Sequence, residues 1–234
     1  MKIGIFDSGI GGLTVLERLL KEGFSQSYIY LCDNKNSPFG NKKIEEIKDL
    51  VFKGVKTLIS KGVDLVVLAC NTASVTCLTE VKTKYSIPVF GITPPLSEGG
   101  KPRAIFSTSA TAKALEKKAV DWDIIPLSSL ATLLDFDFSS REIFSYLDKN
   151  LPKENYKTVV LGCTHFPFAK SIFKDKYPQA KILDGGDILI QNLSLFFDKI
   201  KGNPLVEIEF IFTGEDKTEY SFSALKFLLG GQQI

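Results

Sequence analysis

Two thiols stand at matching places in this chain. Residues 66–72 read Val-Val-Leu-Ala-Cys-Asn-Thr and residues 159–165 read Val-Val-Leu-Gly-Cys-Thr-His. Cys70 and Cys163 therefore each follow a short apolar run of the kind that forms a buried strand. In open parallel α/β sheets the ligand crevice lies beyond the carboxyl ends of the strands. Each cysteine then stands on a turn entering a helix, where backbone N–H groups and the helix dipole favour a thiolate and lower its pKa from about 8.5. If the two segments face one another, the thiols approach one cleft from opposite sides. One thiolate can remove a proton from a bound carbon while the opposite thiol delivers one, which inverts the centre by general acid–base catalysis. The α-proton of an amino acid is far less acidic than any side chain, so such bases need partners. Asp7, at the end of the first strand, suits Cys70. His165, the one histidine of the chain, suits Cys163.

Other uses of these residues fit less well. A cysteine after a buried strand is most often a small hydrophobe, but two in equivalent places, each followed by polar residues, argue for chemistry. There is no Cys-x-x-Cys pair, and one histidine with scattered thiols fails the usual zinc spacing, so no metal is expected. A Cys–His hydrolase needs one thiol and leaves Cys70 without a task. Gly9-x-Gly11 after a strand, with Asp33 after the next, resembles a dinucleotide fingerprint. Thr14, however, holds the third glycine position, and Asp7 puts a negative charge where a pyrophosphate would sit. The N–H groups of that turn are better suited to a substrate carboxylate.

The elements that must position these residues alternate along the chain. Strands are expected at 3–6, 28–31, 65–68 and 89–92, with helices running to about 21, at 41–61 and at 75–84. The run Gly91-Ile92-Thr93-Pro94-Pro95-Leu96-Ser97-Glu98-Gly99-Gly100 then breaks the pattern and marks a boundary. Beyond it strands are expected at 104–106, 123–125, 158–161 and 181–183, with helices at 108–118, 140–149, 167–174 and past 187. A strand at 206–212 and a helix at 221–229 close the chain. The apolar-rich stretch 130–138 is read as covering a core. This order is an α/β fold with mainly parallel sheets, built as two pseudo-twofold-related halves.

Composition narrows the classes further. With 234 residues, 44% of them hydrophobic and 24% charged, the chain can bury a sizeable core. A net charge of +2 leaves no basic footprint for nucleic acid. No apolar stretch approaches the roughly 18–20 residues that span a bilayer. Four cysteines without a scaffold density, and an N-terminus that enters a strand at once, point to a cytoplasmic protein with reduced thiols.

At the level of motifs the chain resembles the glutamate racemases, within the cofactor-independent aspartate/glutamate racemase superfamily. The motifs are Phe6-Asp7-Ser8-Gly9-Ile10-Gly11-Gly12, Ser37-Pro38-Phe39-Gly40, Ala69-Cys70-Asn71-Thr72-Ala73 and Gly162-Cys163-Thr164-His165-Phe166. The resemblance runs through nearly the whole chain, and the two cysteine motifs together are highly specific. It implies two α/β domains, 1–92 with 205–234 and 93–204, the active site between them and the C-terminal segment returning to the first. It implies no cofactor, glutamate as substrate, D-glutamate for peptidoglycan as product, and a homodimer. Cys70 and Cys163 would be the bases, acting on the D and L forms respectively, with Asp7 and His165 assisting. Ser8, Asn71, Thr72 and Thr164 would hold the substrate's amino and carboxylate groups, joined by Pro38, Phe39, Gly40, Thr108 and Thr111.

Three positions depart from the family pattern near the expected cleft. Phe39 stands for a usual tyrosine, and Thr93-Pro94 for Glu-Pro. Ser128 and Ser129 stand in a stretch, 125–129, where an acidic residue commonly supports the second cysteine. A carboxylate on that side is therefore expected to be missing. Two alternatives follow from the departures: a racemase for aspartate or another amino acid, and a weakened paralogue that binds an amino acid or a protein partner.

Overall fold

A computed structural model describes residues 1–24, 27–196 and 206–230. The first half runs β1 (Lys2–Asp7), α1 (Leu13–Lys21), β2 (Ser27–Cys32), α2 (Ile44–Ser60), β3 (Leu65–Leu68), α3 (Asn71–Lys84) and β4 (Val89–Gly91). The second runs β5 (Arg103–Ser107), α4 (Ser109–Leu115), β6 (Asp123–Pro126), α5 (Ser128–Phe136), α6 (Arg141–Asn150), β7 (Thr158–Gly162), α7 (Lys170–Lys176), β8 (Lys181–Asp184) and α8 (Gly186–Phe196). Then come β9 (Ile208–Phe212) and α9 (Thr218–Leu228), while 3-10 turns lie at Phe39–Asn41 and Phe166–Ala169.

The repeat expected from the cysteine motifs is present as topology. One sheet has the order β4-β3-β1-β2-β9 and the other β6-β5-β7-β8, all pairs parallel. Read from the second strand of each half, both orders are 2-1-3-4, with β9 added at the free edge of β2. Register fixes what meets at the strand tips. Phe6 pairs with Leu68, so the chain leaves β1 and β3 with Ser8 beside Cys70, one residue past Asp7. Phe106 pairs with Leu161, which brings Cys163 out beside Thr108.

The sequence makes these elements for ordinary reasons. All four residues of β3 and all five of β7 are buried, as expected for central parallel strands covered by helices on both faces. In α2 the buried residues Ile47, Val51, Val55 and Leu58 recur on one face, and Glu45 and Glu46 sit in the first turn where the dipole favours them. The largest hydrophobic cluster joins α1 residues such as Leu13 and Leu16 to Leu130, Leu134 and Phe166 of the second half, so the two sheets share a core.

Several boundaries shift by a few residues from those expected, and three differences fall on elements of the site. Helix α3 starts at Asn71 rather than 75, because Cys70 itself is the N-cap and its sulfur accepts the Ala73 N–H at 3.5 Å. Helix α4 stops at Leu115 instead of 118. Helix α5 was not expected at all, and it turns the stretch 130–138 from a mere core cover into an element of the site. The expected domain boundary at 204/205 lies outside the described residues.

Candidate active site

The first thiol sits beside a hydroxyl and a backbone N–H, with no cation near it among the described residues. Cys70 is buried, 3.7 Å from Ser8 Oγ, and capped by the Ala73 N–H. The helix N-terminus does not win here. Burial raises the thiol's pKa and the nearby charge of Asp7 raises it further, outweighing the Ala73 and Ser8 contacts. The expected lowering is thus reversed for Cys70, which rests as a thiol. Asp7 does not reach the sulfur directly. Its Oδ1 accepts the Gly9 N–H at 2.8 Å and its Oδ2 accepts the Thr164 hydroxyl at 3.0 Å, a bond from one half to the other. Burial pushes the Asp7 carboxyl up to about 6, against the opposing effects of His165, Gly9 and Thr164.

The second thiol stands beside an ion pair. Cys163 Sγ is 3.7 Å from His165 Nδ1, and His165 Nε2 is 3.1 Å from Asp135 Oδ1. Burial works to lower the histidine's pKa, but its bonds to Asp135 and Cys163, and their charges, together hold it well above 6.5. For Asp135, burial acts upward and is outweighed by the His165 bond and charge, the Ile10 N–H and the Ser37 hydroxyl, which bring the carboxyl down to about 2. The pair is therefore imidazolium and carboxylate at neutral pH.

Asp135 corrects the expectation of a missing carboxylate. Ser128, where an acid was sought, bonds Ser109 at the start of α4. The acid lies seven residues on, two helical turns further along the same face of α5. It is the only charged residue of that helix, which is the one signal in the sequence that marks it.

The glycine turn after β1 also has a different purpose from the one expected. The N–H groups of Gly9 and Ile10 are already given to the carboxylates of Asp7 and Asp135. A Cβ on Gly9 would lie 2.5 Å from Asp135 Oδ1, and one on Gly11 would lie 2.5 Å from His165 Nδ1. The glycines are needed so that the backbone of the first half can pass against the ion pair of the second. Two carboxylates at the turn repel a pyrophosphate. Asp33 is buried and accepts Asn36 and Thr213, which leaves the dinucleotide fingerprint without its parts.

A cavity of about 10 Å³, room for about one water molecule, lies between the halves. It is lined by Ser8, Pro38, Phe39, Gly40, Cys70, Asn71, Thr72, Thr108, Ala131, Cys163, Thr164 and His165. Both thiols thus meet at one space, with every expected site residue on its wall except Asp7 and Thr111. Thr111 sits behind it in a triangle of hydroxyls, 3.0 Å from Thr72 Oγ1 and 3.1 Å from Thr108 Oγ1, while Thr72 and Thr108 are themselves 3.0 Å apart. Asn71 is 2% exposed, yet neither its amide oxygen nor its amide nitrogen has a hydrogen-bond partner among the described residues. Of the three departures only Phe39 lines the cavity, packed 6.1 Å from the Phe6 ring. Among the described residues no cluster of three or more acidic, His or Cys side chains is placed to hold a metal.

No protein-family model matches the chain. Solved structures define the class. The solved structure of glutamate racemase from Aquifex pyrophilus superposes with a TM-score of 0.72 at 29% identity, over 100% of this chain and 97% of that one. That from Campylobacter jejuni subsp. jejuni gives 0.86 over 100% of both chains; at 22% identity it speaks for the fold alone. This is the two-halved α/β fold that these solved racemases share. A curated glutamate racemase of Lachnospira eligens is 35% identical over 229 residues, covering 86% of this chain and 86% of that protein. The chain belongs to the glutamate racemase family.

Proposed function

We propose that this chain interconverts L- and D-glutamate without a cofactor, through Cys70 and Cys163. The observation that carries the proposal is the pair of thiols at equivalent strand ends of a repeated fold, meeting at one cavity. Family membership supports glutamate as the substrate. In one direction Cys163, as thiolate, takes the α-proton of L-glutamate, and the electron pair left on the α-carbon takes a proton from the Cys70 thiol on the opposite face. In the other direction Cys70 removes the proton of D-glutamate and Cys163 returns one. His165 assists Cys163 from 3.7 Å, its Nδ1 facing the sulfur. Asp7 serves Cys70.

The substrate's amino and carboxylate groups are assigned to Ser8, Asn71, Thr72 and Thr164, with Pro38, Phe39, Gly40 and Thr108 completing the wall and Thr111 bracing it. The Asn71 amide, without a partner among the described residues, supports this, since an unsatisfied buried amide costs free energy unless a ligand satisfies it. D-glutamate would feed peptidoglycan synthesis. A homodimer in the cytoplasm, with domains 1–92 plus 205–234 and 93–204, completes the proposal; the pairing of β9 with β2 supports the return of the chain to its first half. No helix among the described residues is long and apolar enough to cross a membrane.

The test is to incubate the reduced protein, free of pyridoxal phosphate, with L-glutamate in D₂O. Loss of the α-proton signal by NMR together with decay of the circular dichroism to zero is expected. Unchanged signals in both channels would reject glutamate, and the same assay on aspartate would then decide whether the substrate is another amino acid.

A further inference from the structure

The Asp135 carboxylate is held from three directions. Oδ1 accepts the Ile10 N–H at 2.9 Å and faces His165 Nε2, while Oδ2 accepts the hydroxyl of Ser37 at 3.0 Å. Its side chain is only 15% exposed, so an oxygen left without a donor would be a costly vacancy. Ser37 belongs to the other half of the molecule. It immediately precedes Pro38, Phe39 and Gly40, which wall the cavity.

We infer that Ser37 is a positioning residue for the Cys163 side of the reaction: its hydroxyl fixes the Asp135 carboxylate that orients His165, and does so from the turn that walls the substrate cavity. This rests on the racemase activity proposed above. A continuous line of contacts results, from Ser37 Oγ through Asp135 and both ring nitrogens of His165 to Cys163 Sγ. Among the described residues no corresponding line reaches Cys70, whose hydrogen-bonding neighbours are Ser8 and the Ala73 N–H. Ser37 therefore acts on one of the two proton transfers. The hydroxyl also lowers the affinity of Asp135 for a proton, which keeps the carboxylate charged opposite the imidazolium.

The experiment compares the wild-type chain, Ser37→Ala and Ser37→Thr in two measurements. Enantiomers have equal free energy, so kcat/KM must be the same in both directions for every variant, and only isotope effects report which transfer has slowed. Loss of one hydrogen bond to a charged group predicts a fall of about tenfold in kcat/KM for Ser37→Ala. With it the deuterium isotope effect should rise for L-[2-²H]glutamate and fall for D-[2-²H]glutamate. Ser37→Thr, which keeps the hydroxyl, should restore both. A loss of rate with the two isotope effects unchanged, or a loss that threonine does not rescue, would leave Ser37 as mere packing and overturn the inference.

The second measurement does not need turnover. His165 is the only histidine, so in tag-free protein its imidazole NMR signals titrate without overlap. The midpoint should shift in Ser37→Ala relative to wild type and return in Ser37→Thr. Equal midpoints in all three proteins would sink the inference. A silent wild type with a shifted midpoint would instead reject the racemase activity and keep the Ser37–Asp135–His165 coupling.

Discussion

The two cysteines occupy the same place in two copies of one strand order, yet their surroundings share almost nothing. Cys70 is met by a hydroxyl and a backbone N–H, with the Asp7 charge nearby, and is held as a thiol. Cys163 is met by a buried imidazolium that is itself paired with a carboxylate. Backbone symmetry places both sulfurs at one cavity, while side-chain asymmetry gives one of them a cation. The comparison teaches that a repeated fold can supply opposed positions without opposed equipment. The difference is made mostly by residues the other half lends: Thr164 to Asp7, and Ile10 and Ser37 to Asp135.

Removing either sulfur should erase the comparison altogether. Cys70→Ala and Cys163→Ala should each cut racemisation roughly 10²–10⁴-fold in both directions, as the loss of a positioned acid or base does. Full two-way activity in either variant, followed by circular dichroism, would dismiss the two-thiol mechanism.

Asp135→Asn should make the second thiol's corner resemble the first. Stranding a buried imidazolium costs about 3–5 kcal/mol, so chemical denaturation should show a large loss of stability at pH 6. The sign with pH follows from the pair. The Asp135 contribution is full above its ordinary 3.8 and lost as pH falls through about 2. The His165 contribution is full below 6.5 and lost as pH rises through its raised value. The stability difference between wild type and variant should therefore be widest between about pH 4 and 6.5. A difference that stays flat across pH would mean the pair is not ionised.

The smallest effect is expected at Asp7. Ionising a carboxyl raised to about 6 costs the folded state stability as pH rises through that value, so Asp7→Asn should melt higher than wild type at pH 8 but not at pH 4. The acid limb of kcat/KM near pH 6 should vanish with it. A limb that survives the substitution belongs to another group.

Much of this was legible in the chain before any coordinates. The doubled Val-Val-Leu run with its cysteine located both strand ends, and the shared element order foretold two related halves, which the structure builds as two sheets of the same 2-1-3-4 pattern. What stayed hidden was non-local. Asp135 is 30 residues from His165 and 98 from Ser37, and it stands alone among leucines in a helix that apolar composition disguised as core. Local pattern shows that Gly9 and Gly11 permit a tight turn, but not that histidine and aspartate from the other half press against it. The Cys70 thiol is a further case, because the N-cap favours a thiolate while complete burial, which no motif records, decides against it.

The cavity with room for a single water has a consequence of its own. The bonds that join the halves beside it, Thr164 to Asp7, Ile10 to Asp135 and Ser37 to Asp135, are also the ones that hold the two carboxylates. A wider cavity of about 570 Å³ reaches Cys163, Asn71 and Thr164 from the side of α1 and α8. Making room for a substrate between the thiols and setting the partners of those thiols are thus one and the same adjustment.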